Sequence, residues 1–361
     1  MKIVLLESLA VSDEVLQKYT RDLEQKGHTF CAYSRCDDEA ALCERAKDAD
    51  ILLLANMPLK GSIIRQCTHL QFIDVAFTGV DHVDLQAAEE MHVAVSNASG
   101  YSNESVAELA LGMTIDCLRN VEAVSARCRH QGTKEGLVGR ELGGKTVGII
   151  GFGKIGRRAA ELFHAFGCPI LAYDSNPIAQ MPDYVQQTSL DELLRHADVV
   201  SLHCPLVEST RGLMNAERIS MMKHRAILIN TSRGEVVDGQ ALRESGLQYV
   251  LDVWEHEPDL DPPLLRNALL ATPHIAGYSA QGKANATALS VRTISRYFGL
   301  PLGEWYPSNI APSRPRAISW QELCDTIDDR FDIAAESRRL KENPEKFETI
   351  RNEYRYREEY F

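Results

Sequence analysis

The stretch GFGKIG, Gly151–Gly156, stands between the apolar run KTVGII and the amphipathic segment KIGRRAAELFHAFG. A strand that breaks into a glycine-rich turn and resumes as a helix opens a βαβ unit, and G-x-G-x-x-G at that junction predicts a dinucleotide site. The glycines have separate tasks. Gly151 permits the tight turn, Gly153 lets a pyrophosphate approach the backbone, and Gly156 lets helix and strand lie close. The helix N-terminus, with Lys154 and Ile155 in its first turn, offers N–H groups and a positive dipole to the phosphates. The next strand, PILAYD, ends at Asp174, where a carboxylate would accept hydrogen bonds from the adenosine ribose. It would also repel a 2′-phosphate, and Ser175, Asn176 and Pro177 supply no cation, so NAD(H) is expected over NADP(H). Arg157 and Arg158 stand against that choice.

Outward from the turn, TVGIIG, PILAYD, DVVSLH, AILINT, YVLDVW and ALLATPH alternate with helical segments such as LDELLRHA. Upstream, KIVLLE, HTFCAYS, ILLLAN, FIDVAF and HVAVSN do the same with SDEVLQKYTRDLEQKG and DLQAAEEM. Strand and helix in alternation make a parallel sheet covered on both faces. Two doubly wound α/β units are expected. Between them NESVAELALGMTIDCLRN reads as one long helix, with Glu104 and Glu108 early and Arg119 late, as the dipole favours. After His274, SAQGKANATALSVRTISRYFG reads as a helix that ends at Gly299 and returns the chain to the first unit.

The chain has 361 residues, 44% hydrophobic, which suits two domains with sizeable cores. A formal net charge of -12 argues against nucleic acid as a partner. No apolar run approaches bilayer length and the start, MKIVLLESLAVSDE, has no cleavage-like site, so a soluble, cytoplasmic protein is expected. The nine cysteines form no C-x-x-C pair, which fits reduced thiols and no metal site. From Pro307 the composition turns charge-dense, and Phe331, Phe347, Ile350, Tyr354, Tyr356 and Tyr360 punctuate it. That tail reads either as a solvated helix or as a dimerising or site-covering extension.

NTSRGEVVD, LDVWEHEP and TPHIAG each fall where a strand of the second unit ends, the edge at which open α/β sheets bind ligands. Arg233 can present a planar fork to a carboxylate or carbonyl. A glutamate of WEHEP beside His274 would fix the imidazole tautomer and favour its charged form, a proton donor for a ketone oxygen. From residues alone, Glu255 and Glu257 are equal candidates.

The order of GFGKIG, HCPL, NTSRGEVVD, LDVWEHEP and TPHIAG, with FTGVDHVDL upstream, resembles the NAD-dependent D-isomer-specific 2-hydroxyacid dehydrogenase family over most of residues 1–300. The resemblance implies that Arg233 orients the substrate, Glu257 supports the histidine and His274 is the general acid/base. It implies that Asp252 holds the nicotinamide carboxamide, that Ser105 and Thr231 lie against the cofactor, and that His203 sits near the adenine. Gly79 and Val80 would offer backbone N–H groups to the substrate carboxylate. The implied domains are a flavodoxin-like substrate domain (1–100 and 283–303), a Rossmann NAD domain (101–282) and a helical C-terminal extension (304–361). Family members usually dimerise, which would involve 101–145 here.

HIAGYSAQGKANATA and the tail are similar to erythronate-4-phosphate dehydrogenases of this family. Those carry Arg-Ser-x-Thr after the third strand, whereas this chain has Ala55, Asn56, Met57 and Pro58. Asn56 would then face a smaller or less charged hydroxy or keto acid, with Lys60 as a substitute cation. The other class to weigh is a dinucleotide-sensing corepressor of the same fold, which an intact Arg233, Glu257 and His274 argues against. Formate dehydrogenases, which place glutamine at Glu257, are disfavoured in the same way.

Overall fold

A computed structural model describes residues 1–361 except 10, 11, 133–137, 313–318, 320, 322–331 and 357–361. Five strands, β1 (Lys2–Leu5), β2 (Thr29–Ala32), β3 (Ile51–Leu54), β4 (Phe72–Val75) and β5 (Ala94–Asn97), lie in the order β2-β1-β3-β4-β5. Seven more make a second sheet: β6 (Val147–Ile150), β7 (Ile170–Tyr173), β8 (Val185–Gln187), β9 (Val199–Leu202), β10 (Ile227–Asn230), β11 (Gln248–Leu251) and β12 (Leu270–Ala271). Their order is β12-β11-β10-β9-β6-β7-β8, and the pairings in both sheets are parallel.

The unbroken apolar runs explain the architecture. ILLL, VGII, VVSL and ILIN are buried at every position, which only a sheet covered on both faces allows. Along β10 the faces alternate: Ile227 and Ile229 join Val147 and Ile149, while Leu228 joins Ile150, Val200 and Leu202. Strand β8 is not legible in the sequence, because Gln186 and Gln187 of this three-residue edge strand are exposed. Strand order reverses between β6 and β9, so the loops leaving their C-terminal ends border the crevice in which such sheets bind ligands.

The chain divides into two units. One holds Met1–Ser102, residues 278–312 and Tyr356; the other holds Asn103–Gly277 and residues 332–355. The return to the first unit therefore begins at Tyr278, ahead of the expected 283. Ser279 caps the return helix Ala280–Phe298 by accepting from Gly282 N at 2.8 Å, and Thr287 Oγ1 donates to Leu9 O at 3.0 Å. The long helix Asn103–Arg119 packs on the glycine-turn helix Lys154–Ala165 and ends at Asn120, whose φ of 52° separates it from Val121–Gln131.

The expected separate extension over 304–361 is not a separate body. Helix Ile333–Glu342 runs beside β12, where Ser337 Oγ accepts from Ala271 N at 3.1 Å and Lys341 Nζ donates to Ala268 O at 2.6 Å. Leu340, Phe347 and Ile350 are buried in the core cluster that contains Trp254 and Leu264. Short β12 leaves an open sheet edge, and the tail covers it. Phe331 and Tyr360 lie outside the described residues.

Candidate active site

At the end of β6 the backbone reaches φ 89° at Gly151, a region L side chains rarely adopt. A Cβ there would also stand 2.5 Å from Cys204 N and 2.7 Å from His203 C, so β6 and β9 meet closely at the crevice only because residue 151 is glycine. Gly156 faces Gly151 O in the same way, whereas a Cβ on Gly153 would point into open space. That space, over the N-terminus of Lys154–Ala165, suits a pyrophosphate. Asp174 Oδ2 accepts from Phe152 N at 2.8 Å and Oδ1 from Asn176 N at 2.9 Å, so the carboxylate is fixed against the glycine turn.

The two arginines that stood against NAD are engaged elsewhere. Arg157 donates to the carbonyls of Ala179 and Gln180 and lies over the Phe152 ring. Arg158 pairs with Glu104 and Glu161, both at 2.7 Å. His203 Nε2 lies 2.9 Å from Ser201 Oγ, and burial pushes its ring down to about 4, which keeps it neutral. Its Nδ1 and the Thr231 hydroxyl are buried without a hydrogen-bond partner among the described residues. Two orphaned polar atoms beside an open glycine cradle fit a bound dinucleotide. Ser105 is buried in the first turns of Asn103–Arg119.

The loops after β10, β11 and β12 form one interlocked assembly. After β10, Asn230 Nδ2 donates to Arg233 O at 2.8 Å and Asn230 Oδ1 accepts from Ser232 N and Oγ. A Cβ on Gly234 would fall 1.9 Å from Trp254 C, so the Arg233 loop lies directly on the segment after β11. Arg233 Nη1 donates to Ser232 O at 2.8 Å. In the loop after β11, Glu257 Oε1 accepts from Trp254 N at 2.8 Å, and Glu257 Oε2 lies 2.8 Å from His274 Nδ1. Glu255 instead accepts from Gly239 N and lies 3.7 Å from His256, which settles which glutamate reaches the histidine.

Asp252 is buried and fastens the histidine loop. Its Oδ1 accepts from Thr272 Oγ1 and Ile275 N, its Oδ2 from Ala276 N, and its carbonyl from His274 N at 2.7 Å. These bonds hold His274 at φ 56°, a conformation that costs a non-glycine residue on the order of 1 kcal/mol or more. Burial pushes the Glu257 carboxyl up, but His274, the Trp254 N–H and Arg351 together outweigh it and hold it below the usual range. The fastening role of Asp252 and the part of Arg351 were not visible in the sequence. Asp252 lies 22 residues from His274, and Arg351 lies in a charge-dense tail with no motif.

The first unit carries the remaining predicted residues on the rim at the ends of β3 and β4. Glu7 is buried and its Oε1 accepts from Ala55 N and Met57 N, which shapes the LANMPL loop. Leu59 N donates to His82 O, joining that loop to the turn that bears Gly79 and Val80, and Asn97 Nδ2 donates to Thr78 O. Asn56 Oδ1 accepts from Arg35 Nη1 at 2.9 Å, whereas Lys60 is paired with Glu39 at 2.8 Å. The cation at Asn56 is therefore Arg35, delivered from beyond β2, and not Lys60.

Residues 111–276 match the D-isomer specific 2-hydroxyacid dehydrogenase, NAD binding domain. The chain is 38% identical over 267 residues to a hydroxypyruvate reductase of Thermotoga maritima, covering 70% of this chain and 86% of that protein. The chain belongs to the D-isomer specific 2-hydroxyacid dehydrogenase family. It is an NAD-dependent oxidoreductase acting on a CH–OH group. An erythronate-4-phosphate dehydrogenase of Bacteroides thetaiotaomicron is 32% identical over 327 residues, 88% of each chain. Among solved structures, a D-lactate dehydrogenase from Aquifex aeolicus complexed with NAD and lactic acid is similar, with a TM-score of 0.71 and 28% identity over 83% of this chain and 96% of that one. Among the described residues no helix is long and apolar enough to cross a membrane.

Proposed function

We propose that this dehydrogenase interconverts a small D-2-hydroxy acid and its 2-keto acid, with His274 and Glu257 as the proton-transfer pair and Arg233 orienting the substrate. The 2.8 Å contact of His274 with Glu257, at the strand ends where these sheets bind ligands, carries this reading. NAD(H), held by the glycine turn, Asp174, Thr231, Asp252, His203 and Ser105, supplies or accepts the hydride. With Nδ1 held by Glu257, His274 offers Nε2 to the ketone oxygen and gives it a proton in the reducing direction. Glu257, kept ionised, stabilises the imidazolium before transfer. The interlocked loops hold Arg233 in place, and its guanidinium suits a planar carboxylate. Gly79 and Val80 supply backbone N–H groups to that carboxylate, with Asn56 on the same rim.

A second reading, a four-carbon substrate carrying a phosphate, is favoured by the relative that covers 88% of each chain and by Arg35 at Asn56. NADH oxidation measured against hydroxypyruvate, glyoxylate, pyruvate, branched and aromatic keto acids and 2-oxo-3-hydroxy-4-phosphobutanoate separates the two. Turnover confined to the last selects the second reading, and no turnover on any overturns both. A homodimer through 101–145 is supported by Val121 and Val138, 51% and 88% exposed in that stretch. A cytoplasmic setting is supported by the free thiols of the described cysteines.

A further inference from the structure

The tail reaches the proton-transfer pair. Helix Phe347–Asn352 buries Phe347 and Ile350 in the same cluster as Trp254. The backbone N–H of Trp254 in turn holds Glu257 Oε1. On the same helix the Arg351 side chain is only 12% exposed, and a buried guanidinium is stable only beside anions. One is Glu348, 3.5 Å away and half exposed. The other is Glu257, whose carboxylate feels the Arg351 charge.

We propose that Arg351 is a positioning residue for the proton-transfer pair: it keeps Glu257 ionised and oriented while His274 alternates between its charged and neutral forms. The need for such a group follows from the cycle itself. When His274 gives up its proton, Glu257 loses the cation 2.8 Å away, in a place where burial favours the neutral carboxyl. A carboxyl that took up a proton at that moment could not draw the next one onto His274. Arginine does not titrate in the working range, so its charge persists through turnover. The groups that face Glu257 are His274 from the loop after β12, the Trp254 N–H from the loop after β11, and Arg351 from the tail. Glu255 and His256, its neighbours in the chain, are turned to Gly239 and to each other, and Glu348 partners Arg351.

The inference rests on His274 and Glu257 being the proton-transfer pair, so its test has one arm that needs no turnover. Removing a fixed cation from a coupled pair raises the proton affinity of the pair. In R351M the pH midpoint of hydroxy-acid oxidation should move up by about half a unit or more, and R351K should restore it. The ring resonances of ¹⁵N-histidine-labelled protein, assigned to His274 by their loss in H274Q, should show the same upward shift without substrate. A wild-type enzyme inactive on every keto acid would remove the proposed function, yet the resonance shift would still stand or fall by itself. R351Q carries the same test if R351M does not fold. Titration curves superimposable on wild type in a folded variant, or reduced activity at an unchanged midpoint, would show that Arg351 only anchors the tail.

Discussion

His274 is gripped from two sides: Glu257 Oε2 stands 2.8 Å from its Nδ1, and the Asp252 carbonyl accepts from its backbone N–H at 2.7 Å. The first contact sets the tautomer, and the second sets the strained backbone from which the ring projects. Replacing the ring should therefore leave the cofactor half of the site untouched. His274→Ala is expected to lower turnover by about a hundredfold or more while NADH affinity stays nearly intact. Steady-state kinetics paired with a calorimetric NADH titration checks this, and unchanged turnover would overturn the proton-donor role.

Asp174 serves two ends, because the oxygen that would meet a ribose also accepts from Phe152 N in the glycine turn. Asp174→Asn keeps the shape and removes the charge that a 2′-phosphate would meet. It should narrow the preference for NADH over NADPH by about tenfold, equal to about 1.4 kcal/mol. Fluorescence titration with both cofactors measures the ratio, and an unaltered ratio would mean that another group sets cofactor choice.

Both sheets were legible in the sequence because burial on two faces writes itself as unbroken apolar runs such as ILLL and ILIN, and the glycine turn marks its own strand–helix junction. What stayed hidden depends on contacts distant along the chain. No local pattern told Glu255 from Glu257; that choice is made by Gly239 and His274, which the fold brings to opposite sides of one turn. Lys60 looked like the cation nearest Asn56 because it is four residues away, but β2 delivers Arg35 instead. The tail read as solvated or dimerising because its few aromatics have no periodic partner within the tail itself, and their partners are Trp254 and Leu264.

Asp74, in β4, is a buried carboxyl with no catalytic task. Burial, only partly offset by Ser290 and Ser96, pushes it up to about 6, and its oxygens make no hydrogen bond of ordinary geometry among the described residues. An unfolded aspartate titrates near 3.9, so the folded chain binds the proton more tightly. Stability is then unpenalised below about pH 4, falls as pH rises toward 6, and levels off above it. The full penalty is on the order of 3 kcal/mol at about 1.4 kcal/mol per unit. Asp74→Asn should remove this slope, so that its stability relative to wild type improves by about 2–3 kcal/mol between pH 4 and pH 7.5. Urea unfolding at the two pH values tests it, and parallel pH dependence in both proteins would show that Asp74 is not the titrating group.

Phe347 distinguishes a docked tail from a solvated one. It is fully buried, in the cluster that holds Trp254, Leu264 and Leu340. Phe347→Ala would leave a cavity in that cluster and should cost about 3–5 kcal/mol. Because the same helix carries Arg351 and the same cluster supports the turn of Glu257, the loss should reach the chemistry as well as the fold. Thermal unfolding should show a lower Tm, and kcat should fall at temperatures where the protein is still folded. Substituting exposed Tyr356 in the same tail should leave Tm within about 0.5 kcal/mol of wild type, the range for surface positions. An unchanged Tm in Phe347→Ala would mean that in solution the tail does not occupy the groove beside β12, and the role of Arg351 would fall with it.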